Sequence, residues 1–170
     1  MSTKGEKQME IERKWLVEDW PETDLPVIKE IQMRQGYISV YPTVRIRQEI
    51  SENGTAGHIL CFKSAGGLSR KEIEMDIAPD MFAQLEDLIG RPLIPKTQRI
   101  YLLPEGLKLE VNLVDEGAPT CFMYAEVEYR SEEEALAWNA ADYGLDAYLS
   151  NEVTGVPGQS MGAYWQRTRA

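Results

Sequence analysis

The sequence is poor in the residues that most enzymes use for nucleophilic or redox chemistry. It has one histidine, His58, and two cysteines, Cys61 and Cys121, in 170 residues. A histidine-driven triad is therefore excluded as the centre of the chain's chemistry, and His58 reads as a residue at a strand end. Two cysteines without an export signal read as free thiols, not a disulfide framework. No apolar run approaches the roughly 18 residues a membrane span needs. The first eight residues carry no apolar leader and read as a flexible tail; the expected location is the cytoplasm. Bases are also scarce: 18 Lys and Arg stand against 28 Asp and Glu, a net charge of −10. Such a surface argues against nucleic-acid binding, which needs a basic face. It leaves room for a small anion held in a locally basic pocket.

What the chain has is alternation. Residues 9–17 read as a strand, in which side chains alternate faces. Glu10, Glu12 and Lys14 then share one face, with Met9, Ile11, Arg13 and Trp15 on the other. Further strands are expected at 35–40, 43–50, 58–64, 70–77, 97–103, 107–114 and 121–129. Asn53-Gly54, Gly66-Gly67 and Pro104-Glu105-Gly106 supply turns between them. Helices are expected at 81–88, at 131–141 behind the capping box Ser131-Glu132-Glu133-Glu134, and at 160–168, with shorter helical turns at 25–31 and 146–149. The fold expected is α+β and mainly β: one domain over 1–170, an eight-stranded antiparallel barrel or tunnel with flanking helices.

One strand with a charged face is ordinarily a half-wet sheet, apolar inward and charged outward. The set of strands reads differently, because charge is sorted by strand. Arg45 and Arg47 share a face, Lys63 follows, and Glu72, Glu74 and Asp76 share theirs with Arg70. Glu110 shares one with Lys108 and Asn112, and Glu126 one with Glu128. Sorted signs suggest an acidic and a basic array facing each other across a polar lumen, with the apolar faces outside. Carboxylates suit hard divalent cations such as Mg²⁺ or Mn²⁺. Arginine and lysine suit phosphate oxygens. Phosphoryl transfer uses both. The glutamates Glu10, Glu12, Glu72, Glu74, Glu126 and Glu128 could not share one cavity ionised without metal or protons.

Glu10-x-Glu12-x-Lys14, Arg45-x-Arg47, Lys63, Glu72-x-Glu74 and Glu126-x-Glu128, in that order, resemble the motifs of the CYTH superfamily, the triphosphate tunnel metalloenzymes. The stretch 63–70 resembles that of the small bacterial tripolyphosphatases, and the likeness spans roughly 8–168. The resemblance implies a tunnel that takes a linear triphosphate, with metal held by Glu10, Glu12, Glu126 and Glu128. It implies catalytic roles for Glu72, Glu74 and Lys14, and phosphate contacts from Lys14, Arg45, Arg47, Lys63, Arg70, Lys96 and Arg99. The activity it implies is metal-dependent hydrolysis of inorganic tripolyphosphate. Thiamine or nucleoside triphosphatase, class IV adenylate cyclase and a non-catalytic polyphosphate-binding module stay open, as does a homodimer. The chain departs from the motif pattern at three points. Lys96-Thr97-Gln98-Arg99 puts Arg99 on the opposite face from Lys96 and Gln98 unless a bulge intervenes. Asn112 stands where an aspartate is usual. Residues 153–165 contain no Lys or Arg.

Overall fold

A computed structural model describes residues 9–169 of the chain; the expected N-terminal tail lies outside them. Nine strands and three helices follow in the order β1 (Met9–Val17), β2 (Val27–Ser39), β3 (Thr43–Ser51), β4 (Ala56–Lys63), β5 (Ser69–Asp76), α1 (Pro79–Ile89), β6 (Ile94–Leu102), β7 (Lys108–Val114), β8 (Phe122–Glu128), α2 (Glu132–Ala137), β9 (Asn151–Glu152) and α3 (Met161–Arg169). The sheet runs β5-β4-β3-β2-β6-β7-β8-β1, all antiparallel, and β1 closes it by pairing with β5 through Glu10 and Arg70. Closure leaves the eight strands no free edge, which is why alternation can sort inside from outside around the whole ring. The two-residue β9 pairs with Trp15 and Leu16 at the far end of β1. Among the described residues, no helix is long and apolar enough to cross a membrane.

The apolar faces point outward and are covered in two places. Trp15, Leu109, Val111, Ala125 and Val127 pack beneath α2 and the following 3₁₀ turn, Ala140–Tyr143. There Trp15 meets the Trp138 ring at 5.7 Å. On the other side Ile46 joins Phe82 of α1 and Trp165 of α3, and the cluster extends to Tyr37, Ile94 and Tyr124, which sit on the inward faces of their strands. Gly36 on β2 allows this approach: a Cβ there would stand 2.4 Å from the Leu93 side chain and 3.3 Å from the Trp165 ring. The tryptophans thus pack helices to the barrel. Trp15 is 2% exposed, so Trp15→Ala is expected to cost about 3–5 kcal/mol, read as a lowered denaturant midpoint.

Two element expectations are corrected. Residues 25–31 form no helix; β2 starts at Val27, because its backbone pairs with β6 along Val27–Gln35, and long-range pairing overrides a weak local helical preference. The helix expected over 131–141 stops at Ala137. Ser131 caps it through the Glu134 amide, but Trp138 turns extended and buries its ring against Trp15, Tyr129 and Tyr143.

Candidate active site

Inside the barrel lies a cavity of about 1680 Å³. Its wall divides by charge. Glu10, Glu12, Glu110, Glu126 and Glu128 come from β1, β7 and β8; Arg45, Arg47 and Lys63 come from β3 and β4, with Lys14 and Lys96 nearby. Register explains the acidic wall: Glu12 lies opposite Glu128, Lys14 opposite Glu126, and Glu126 opposite Glu110. Three strands present carboxylates at neighbouring rungs, where like charges repel.

The carboxylates relieve that repulsion unequally. Burial, then the charges of Glu126 and Glu10, push Glu12 well above the ordinary carboxylate range. Burial opposes ionisation of Glu126 too, but the hydrogen bond from Glu12 and the charge of Lys14 hold it low. The pair therefore shares a proton. Burial likewise opposes ionisation of Glu10, yet Lys63 at 2.7 Å wins and holds it strongly acidic. Arg70 adds to this, 3.7 Å from Glu10 and 3.8 Å from Glu12. Glu72 is pushed up to about 7 by burial and by its hydrogen bond to Glu10. Buried carboxylates that must share a proton are what a hard cation replaces, so the donor set fits a divalent metal. A second group, Glu72 and Glu74 with the Cys61 thiol, brings three ligand atoms within 4.8 Å of one another.

The basic wall is built to grip. Arg45 is 8% exposed, and its Nε, like that of Arg47, is buried without a hydrogen-bond partner. A phosphate oxygen would satisfy such donors. Lys96 is 5% exposed, and burial, then the charge of Arg47, pulls it down to about 7. Burial also lowers Lys14.

The signs give a stability profile for the metal-free protein. Glu72 is raised from 4.5 to about 7, so it favours the fold at low pH and loses that contribution as pH rises through about 7. Lys96 is lowered from 10.5 to about 7, so its contribution is present at high pH and lost as pH falls through about 7. In chelator, thermal unfolding is expected to show a local minimum in melting temperature near neutrality. Lys96→Met should reduce the rise on its alkaline side, leaving the part that Lys14 contributes.

The structure brings Glu10, Glu12, Lys14, Arg45, Arg47, Lys63, Arg70, Glu72, Glu74, Lys96, Glu126 and Glu128 to one cavity. It does not bring Arg99. The β6 ladder is regular from Lys96 to Leu102, so no bulge turns Arg99 inward. It pairs with Glu30 at 2.7 Å and stacks 3.9 Å from the Trp20 ring on the outer surface; its expected phosphate contact is corrected. Gln98 faces inward and donates to Asn112 Oδ1 at 3.0 Å.

Sequence reasoning missed three features. Ile31, Met33, Ile59 and Ile100 also line the lumen and are 3–8% exposed, a buried apolar side to an otherwise charged wall. Tyr124 lines it too, and it was legible, since Tyr124, Glu126 and Glu128 share a face by alternation. The third is the strap 153–162 across one mouth. Where the family pattern has a base, it offers a carbonyl: Lys14 Nζ donates to Gln159 O at 2.6 Å. Gly155 passes there at φ +67, its Cβ position 3.3 Å from Gly67 Cα, a contact no sequence spacing announces.

A closed antiparallel barrel with an acidic wall facing a basic one defines a class: tunnel proteins that hold a polyanion together with cations. No family model matches the chain. It is 36% identical over 129 residues to an inorganic triphosphatase of Nitrosomonas europaea, covering 76% of this chain and 82% of that protein. A crystal structure of an inorganic triphosphatase superposes with a TM-score of 0.56 at 29% identity, over 90% of this chain and 94% of that one. A putative adenylyl cyclase from Hippeastrum, described as having a dominant triphosphatase activity, shares the fold at 14% identity, covering 94% and 96% with a TM-score of 0.55. The chain belongs to the CYTH superfamily of triphosphate tunnel metalloenzymes.

Proposed function

We propose that the protein hydrolyses inorganic tripolyphosphate with Mg²⁺ or Mn²⁺. What supports this is the pair of buried, unpartnered Nε donors at Arg45 and Arg47, the latter ion-paired to Glu49 at 2.7 Å through its other end, set in the same cavity as Glu12 and Glu126. A lumen with one wall for phosphate and one for cations suits a substrate that is nearly all phosphate. The printed activity of the N. europaea relative supports the same substrate.

Arg45 and Arg47 bind phosphoryl oxygens by fork-shaped hydrogen bonds, and Lys63, Lys14 and Lys96 offset the remaining charge. Glu12 and Glu126, with Glu10 and Glu128 on the same wall, would hold the metal. A divalent cation held there would supply charge neutralisation at the phosphoryl oxygens and a more acidic water. Glu72, poised near 7, accepts a proton from the attacking water, and Glu74 on the same strand face orients it. Lys14 faces the charge that develops on the leaving phosphate. Glu10, Arg45, Lys63 and Lys96 are buried in the wall, and that burial strengthens their interactions with a bound charge.

Phosphate release from tripolyphosphate, ATP and thiamine triphosphate with each metal tests the reading. Tripolyphosphate is expected to be turned over at least about tenfold faster than either organic triphosphate, a difference of ~1.4 kcal/mol in barrier. Formation of cyclic AMP, or tight tripolyphosphate binding without turnover in the presence of metal, overturns it.

A further inference from the structure

We propose that Tyr124 is a positioning residue for the phosphate-gripping lysines, holding two ammonium groups from different strands at the places where the substrate meets them. The proposal rests on the triphosphatase reading above and names a residue that none of the family motifs contains.

Tyr124 lies on β8, two residues before Glu126 and on the same inward face. It is 2% exposed. Lys14 of β1 places its Nζ 4.3 Å from the centre of the Tyr124 ring. Lys96 of β6 donates from Nζ to the Tyr124 hydroxyl at 2.9 Å. The two lysines come from strands separated by β7 and β8 in the sheet. One side chain thus touches both, one through its π face and the other through its oxygen. The Tyr124 backbone is tied as well, since its carbonyl accepts from Asn112 Nδ2 at 3.5 Å.

A neutral phenol suits this task for a physical reason. Long lysine side chains lose conformational freedom when they grip a ligand, and a site that has already ordered them spends less binding energy doing so. A carboxylate in this place would order them too, but it would cancel their charge and repel phosphate. A ring face and a hydroxyl oxygen attract an ammonium without neutralising it. Tyr124 holds both lysines without a countercharge of its own, and an arriving phosphate favours their charged form.

The test separates the two contacts. Tyr124→Phe keeps the ring beneath Lys14 and removes the acceptor for Lys96; Tyr124→Leu removes both. On tripolyphosphate, KM is expected to rise about three- to tenfold in Tyr124→Phe with kcat held within about twofold, and about ten- to a hundredfold in Tyr124→Leu, where kcat falls as well because Lys14 is loosened. In a Lys96→Met background, Tyr124→Phe is expected to add no further rise, because the contact it removes is already gone. A packing role alone would lower the melting temperature and kcat without that pattern. Should Tyr124→Leu fail to fold, Tyr124→Phe and the double variant decide the matter. An unchanged KM in Tyr124→Phe, a fall in kcat at unchanged KM, or a full additional rise in the Lys96→Met background each overturns the proposal. Absence of tripolyphosphate turnover by the unsubstituted protein would instead sink the triphosphatase reading itself.

Discussion

Glu12→Gln is expected to abolish tripolyphosphate hydrolysis while leaving the metal-free protein as stable as before, or more so. The activity should fall by about a thousandfold or more, ~4 kcal/mol of transition-state stabilisation. The stability expectation has the opposite sign and follows from the same geometry. Glu12 sits among Glu10, Glu126 and Glu128 and is raised well above the ordinary range by burial and by its neighbours' charges. In the metal-free fold it favours the protonated form, which glutamine imitates in shape and hydrogen-bonding capacity. Sign follows: a raised acid stabilises the fold at low pH and loses that contribution as pH rises through its folded value. Glutamine cannot ionise, so Glu12→Gln should retain stability at pH 8 where the unsubstituted, metal-free protein loses it. Adding Mg²⁺ should then raise the melting temperature of the unsubstituted protein and do so much less for the variant. A variant that melts lower in chelator and also loses activity would show that Glu12 serves the fold, and the assignment of the acidic wall would fail.

Arg45→Ala carries the second large effect. Arg45 lies opposite Cys61 across the β3–β4 ladder, buried, with its Nε unpaired. It stays charged: burial works against the cation, and the surrounding groups, Glu10 and Glu74 among them, outweigh it. A buried charged donor without a partner costs the empty protein stability and returns that cost when an anion arrives. Removing it should raise KM for tripolyphosphate by roughly a hundredfold, ~3 kcal/mol for a charged hydrogen-bonding group. Arg45→Lys should recover only part of this, because an ammonium cannot form the planar two-pronged contact. Calorimetry with tripolyphosphate and a chelator would isolate the phosphate contribution from the metal's. Equal affinity in Arg45→Ala and the unsubstituted protein would remove Arg45 from the binding wall.

Much of this architecture can be read from alternation, and particular residues show where the reading stops. Glu10-x-Glu12-x-Lys14 put three charged groups on one strand face, and β1 places them in one lumen. The same rule sent Arg99 outward from Lys96, and outward is where it stands, on Glu30 and Trp20. The phosphate contact expected of it needed a bulge that the regular β6–β7 register does not contain. The start of β2 was hidden for another reason. Residues 25–31 have no strong local strand pattern, and their conformation comes from pairing with β6 far along the chain.

The amino-acid order alone determined which side chains share a face, how charge is sorted among strands, and where turns and caps fall. Those properties depend on neighbours one to four residues away, through period-two geometry and local hydrogen bonding. Closure of the ring, the rung-by-rung register and the strap carbonyl at Lys14 were decided only in three dimensions. Each depends on backbone pairing between segments dozens of residues apart. That pairing is also what turned Glu12 and Glu126 into a proton-sharing pair and brought Lys14 and Lys96 to a single tyrosine.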